Sequence, residues 1–103
     1  MTKHNGRLRL FPLGQIVATP GALAELSKHM QDSFEAYCGQ FLERHASGDW
    51  GEALDEEDRA ANDRAVQEGT RILSAYRLPD GGKLWLITEW DRSVTTILLP
   101  AEY

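Results

Sequence analysis

Two short turns near the C-terminus constrain this chain more than any other feature. Ile72–Leu78 is an apolar, β-prone run, and Pro79-Asp80-Gly81-Gly82 follows it. Proline presets φ and glycine allows positive φ, so this tetrapeptide is a turn signal. Lys83–Trp90 is a second run, Asp91-Arg92-Ser93 a tight connection, and Val94–Leu99 a third run that Pro100 ends. Parallel neighbours need a crossover of about a dozen residues or more, which these turns cannot provide. The three runs therefore predict an antiparallel meander. Leu84, Leu86 and Trp90 fall on one face of the middle strand, and Trp85 and Ile87 on the other. Both faces are apolar, so helices or another subunit are expected over both.

The upstream segments read as one strand region and two or three helices. Arg7–Phe11 alternates, Pro12 interrupts it, and Gly14–Ala18 is a short strand. Thr19-Pro20 signals a helix start, with Leu23, Leu26 and Met30 as its stripe. Ser33 is placed to cap a second helix with Phe34, Tyr37, Cys38, Phe41, Leu42 and His45 at spacings of three and four. Ser47–Gly51 ends it. Asp55 opens a third helix, with Asp58 three residues on, a narrow Ala60, Ala61, Ala65, Val66 stripe and a stop at Gly69. The expected fold is α+β: an N-terminal strand, two to three helices, then the three-stranded antiparallel meander, with the first strand able to join as a fourth. A chain of 103 residues supports one domain, spanning 1–103.

Charge is uneven. Residues 49–63 hold seven acids against Arg59, a net −6, so the rest of the chain carries +1 of the total −5. The N-terminal arm is basic through Lys3, Arg7 and Arg9. An acidic surface repels phosphate, so direct nucleic-acid binding is disfavoured. No apolar run approaches membrane-spanning length, so no membrane association is expected. The first seven residues lack an apolar leader, and the lone Cys38 cannot form an internal disulfide. The expected location is the cytoplasm.

Several stretches resemble a family of small bacterial proteins from plasmids and integrative elements. They are GQIVATPGAL (14–23), HASGDWG (45–51), DEEDRAAND (55–63), RILSAY (71–76) and LWLITEWDRSVTTILLPAEY (84–103). Members carry the label "plasmid-related protein" or "type I restriction endonuclease subunit M". The second label does not fit, because the chain is too short for a methyltransferase and lacks a Gly-rich cofactor loop. The resemblance implies a mobile-element setting and carries no catalytic residues with it.

Two polar groups are candidate sites. Glu89, Asp91, Arg92, Thr95 and Thr96 surround the last turn, where Arg92 could hold a phosphate or carboxylate. His45–Gly51 forms a loop in which His45, at a helix C-terminus, would favour its protonated form. Either set can equally be structural, as a solvated hairpin tip or a pinned helix end. Were they to meet, His45, Glu89 and Arg92 would suit metal-free ribonuclease chemistry. A metal site from His45, Asp49, Glu52 and Asp55 matches neither an EF-hand nor a zinc spacing. No metal and no cofactor is expected, and Cys38 reads as a buried, inert thiol.

The preferred reading is an acidic, non-enzymatic binding protein of a mobile element. It would inhibit or regulate a host defence or nucleic-acid-handling protein by protein–protein contact. Its interface would comprise Asp49, Trp50, Glu52, Asp55, Glu56, Asp58 and Trp90. The alternative is a small metal-independent ribonuclease or toxin of barnase-like or RelE-like layout. A homodimer paired through a sheet edge is the third reading.

Overall fold

The computed structural model describes residues 3–4, 7–30 and 33–103. The leader region's Met1, Thr2, Asn5 and Gly6, and the basic side chains of Lys3 and Arg7, lie outside the described residues. The chain forms β1 (Lys3–His4), β2 (Arg7–Leu8), β3 (Gln15–Ala18), α1 (Pro20–His29), α2 (Phe34–Ala46), α3 (Glu56–Glu68), β4 (Ile72–Arg77), β5 (Lys83–Thr88) and β6 (Val94–Leu98). One 3-10 turn, Pro100–Glu102, follows.

The class is α+β, and β4-β5-β6 is the antiparallel meander that the short turns demand. β3 adds to the far side of β6 in parallel, giving the order β3-β6-β5-β4. The complete sheet is thus mixed, because the three helices between β3 and β4 supply the crossover that a parallel arrangement requires. The expected Arg7–Phe11 strand is shorter. Only Arg7–Leu8 pairs, with Lys3–His4, in a separate two-stranded ladder. Beyond it, the Leu10 N–H donates to the Ala46 carbonyl at 2.7 Å, and Phe11 and Leu13 turn into the core. Gly14 sits at φ +67, where a Cβ would lie 2.4 Å from the Arg92 carbonyl oxygen. Only glycine lets β3 pass that close to the β5–β6 turn.

The caps follow the sequence. Thr19, Ser33 and Asp55 each accept a backbone N–H three residues on. α1 presents Ala22 and Leu26 to the core, whereas Leu23 and Met30 of the expected stripe are exposed. Of the expected α3 stripe, Ala65 is buried, Ala61 and Val66 are half-buried and Ala60 is exposed.

By register, Ile72, Ser74, Tyr76, Leu84, Leu86, Thr88, Thr95 and Ile97 share one sheet face. α1 and α2 cover it, packing Ala22, Leu26, Cys38 and Phe41 on Tyr76, Leu84, Leu86 and Ile97. Each such large side chain contributes roughly 1.5–3 kcal/mol when fully buried. A second cluster joins Phe11, Leu13, Ala46, Trp50, Leu54 and Ala65 to Ile72 and Ala75. α3 lies along the β4 edge. The opposite sheet face has no matching helix pair. There Trp85 is half-buried under the Tyr103 ring, 5.7 Å away, with the Arg71 guanidinium over that ring. On that face Leu73 and Ala75 pack with Ala65 and Val66 of α3, and Ile87 and Leu98 are buried. Among the described residues, no helix is long and apolar enough to cross a membrane.

Candidate functional site

The residues singled out in the sequence fall into three places. The first is the outer edge of β4. In an edge strand every second residue turns its N–H and C=O away from the sheet. Here those residues are Leu73, Ala75 and Arg77, and each has a partner. The Asn62 amide donates to the Leu73 carbonyl at 2.6 Å and accepts its N–H at 3.2 Å. The Ala75 N–H donates to the Trp50 carbonyl at 2.9 Å, and the Ala75 carbonyl accepts the Ala53 N–H at 3.1 Å. The Arg77 N–H donates to the Glu52 carboxylate. Gly51, at φ +93, allows this contact, since a Cβ there would lie 2.0 Å from the Ala75 oxygen.

This arrangement redefines much of the expected acidic interface. Trp50 is 4 % exposed, and its indole N–H donates to Asp63 at 2.9 Å. It fills the space beside Phe11 and cannot serve as a docking aromatic. Asp49 and Glu52 both accept from the Arg44 guanidinium, at 2.7 and 3.0 Å. These bonds, with that from the Arg77 N–H, hold the Glu52 carboxyl below its ordinary range although burial opposes them. Asp55 accepts the Asp58 N–H at 2.8 Å as the α3 cap. Glu56, Glu57 and Asp58 remain exposed in the first turn of α3, without an ion pair among the described residues. Arg44 is the organiser that sequence reading overlooked. An arginine five and eight residues before two acids, across a loop, was the available signal.

The second place is His45. It is fully buried, with Nδ1 2.5 Å from the Ser74 hydroxyl and Nε2 2.8 Å from the Thr88 hydroxyl. Thr88 contacts the Thr95 hydroxyl at 2.7 Å, and Thr95 donates to the Leu13 carbonyl at 2.7 Å. Hydroxyls donate or accept, so this chain satisfies a neutral imidazole. Burial, aided by the Arg92 charge, lowers the His45 pKa to about 3. The expected protonated form is therefore wrong, because desolvation outweighs the helix dipole.

The third place is the β5–β6 turn. Arg92 adopts φ +61 and donates to the carbonyls of Ala65, Thr70 and Glu89. It closes the C-terminal end of α3. Its guanidinium lies 5.4 Å from the Phe11 ring, which also neighbours His45 at 5.2 Å. The two polar groups are thus neighbours: the Phe11 ring stands between Arg92 and His45, while Thr95 reaches His45 through the Thr88 hydroxyl. Glu89 is half-buried, and its carboxylate makes no hydrogen bond among the described residues. Asp91 accepts the Ser93 hydroxyl and N–H. Of the metal quartet that the sequence raised and set aside, Asp49 and Glu52 serve Arg44 and Asp55 serves the α3 cap.

Trp90 is 67 % exposed, since β5 ends at Thr88 before reaching it. The other sheet edge, β3, carries exposed Ile16 and Val17. A groove of about 440 Å³ runs beside it, lined by Leu13, Ile16, Gly39 and Leu42. Comparison with family profiles, curated proteins and solved structures found no match.

Proposed function

We propose that this protein is a non-enzymatic binding protein of a mobile element. It inhibits or regulates a host defence or nucleic-acid-handling protein by protein–protein contact. The observation that carries the reading is the division of its charges. Arg92 bonds internally, while Glu56, Glu57 and Asp58 stand exposed and without an ion pair among the described residues. Proteins that handle nucleic acid present basic grooves, and an acidic helix turn is complementary to one. Asp55 and exposed Trp90 complete the contact set. The test is retention of host protein by the tagged chain, compared with the Glu56→Lys, Glu57→Lys, Asp58→Lys triple variant. The expected result is a stoichiometric basic partner, lost at high salt and lost in the folded triple variant. Equal retention by both would overturn the reading.

A second reading is favoured by the β3 edge, where residues 13–19 contain no charge. Natural edges are usually guarded by charge, proline or a bulge. Self-association through β3 fits that uncharged edge, and light scattering of the wild type against Val17→Lys tests it.

A further inference from the structure

Glu25 and His29 stand four residues apart on α1 and so share a face. Asp80, in the turn between β4 and β5, meets them from the other side. One ligand-capable atom from each lies within 4.8 Å of the others. The Nε2 atom of His29 is buried and makes no hydrogen bond among the described residues. Asp80 Oδ2 is 3.5 Å from it, too far for a good hydrogen bond. A buried ring nitrogen whose nearest polar atom is a carboxylate at that distance calls for an explanation. Both carboxylates are held by further bonds, Asp80 through the oxygen that does not face His29. Asp80 Oδ1 accepts the Gly82 N–H at 2.9 Å, and Glu25 Oε1 accepts from Lys28 Nζ at 2.8 Å. Such outer contacts are what fix ligands around a metal.

We propose that Glu25, His29 and Asp80 form a binding site for a divalent transition-metal cation. One imidazole and two carboxylates suit Zn²⁺, with bonds of about 2.0–2.2 Å. Tetrahedral donors then stand roughly 3.4 Å apart, so no pair within 4.8 Å needs to close by more than about 1.4 Å. Two carboxylates and a neutral imidazole balance the divalent charge. Glu25 and Asp80 also line a cleft of about 630 Å³ with Lys83 and Pro100. The ion would clamp the β4–β5 hairpin to α1.

The test is calorimetric titration of the chelator-treated full chain with ZnCl₂, with Co²⁺ absorption as a second probe. One saturable Zn²⁺ per chain is expected, with a visible Co²⁺ band of tetrahedral type. Asp80→Asn keeps the Oδ1 contact with Gly82, so it reports on the site with the turn intact. It and His29→Gln should each weaken binding by a hundredfold or more, on the order of what a lost supporting contact already costs. His4→Gln, the control at another histidine, should leave binding unchanged. No saturable Zn²⁺ in the wild type, unchanged binding in Asp80→Asn, or loss in His4→Gln would each overturn the proposal.

Discussion

The two edges of the sheet are opposites. At β4 the outward backbone groups of Leu73, Ala75 and Arg77 are met by Asn62, by the 50–53 loop and by Glu52. At β3 the alternation turns the backbone groups of Ile16 and Ala18 outward, and nothing among the described residues pairs with them. One edge is sealed by side chains and a loop from distant sequence. The other is four residues long and uncharged. The lesson is that shortness alone guards β3, whereas β4 is guarded by specific bonds. A longer, flat strand at β4 would otherwise be a template for aggregation.

The strongest way to break the contrast is Trp50→Ala. It removes a buried indole and the ring beside Phe11, and should cost about 3–5 kcal/mol. Chemical denaturation would measure it, and a loss below 1 kcal/mol would show that Trp50 is not the plug of that end.

Acid acts next on the same half. His45 ties α2 to β4 through Ser74 and to β5 through Thr88. Its pKa falls from about 6.5 unfolded to about 3 folded. A group depressed in this way contributes stability above its unfolded pKa and loses it as pH falls towards the folded value. Stability should therefore drop by about 1.4 kcal/mol per pH unit between pH 6 and pH 4.5. The carboxylates held low, Glu52, Asp80, Asp91 and Glu102, add their losses below that window. The slope should flatten in His45→Gln, and a flat wild-type profile over this window would contradict the buried neutral histidine.

Asn62→Ala sharpens the contrast at smaller cost. It strands the Leu73 N–H and carbonyl, for about 1–3 kcal/mol. The Leu73 amide should then exchange with solvent far faster, while amides at the β3–β6 ladder keep their protection. The smallest effect is expected at the open edge. Val17→Lys should change monomer stability by less than about 0.5 kcal/mol, because the site is exposed. Its only consequence should be the loss of any dimer seen by light scattering.

Much of the fold was legible in local patterns. The caps at Thr19, Ser33 and Asp55, the stop at Gly69 and both hairpin turns depend on residues a few positions apart. The candidate site was legible only in part. The acids of 49–63 stood out, but those with a structural duty could not be separated from the free ones. Asp49 and Glu52 are claimed by Arg44, and Asp63 by Trp50, in contacts that span a loop. The expected interface includes Trp50, yet Gly51 lets its loop press against Ala75 and the indole packs inward.

By itself the sequence determined β3, the helix starts and the antiparallel meander, in that order, since turn length and capping are local properties. It also determined the net charge and its concentration before α3. Only the tertiary structure decided that β3 runs parallel to β6, that His45 is buried and neutral, and that Arg92 closes α3. It alone set Glu25, His29 and Asp80 together. Each of these depends on contacts between residues far apart in the chain, and burial and pairing across such distances arise only when the core closes.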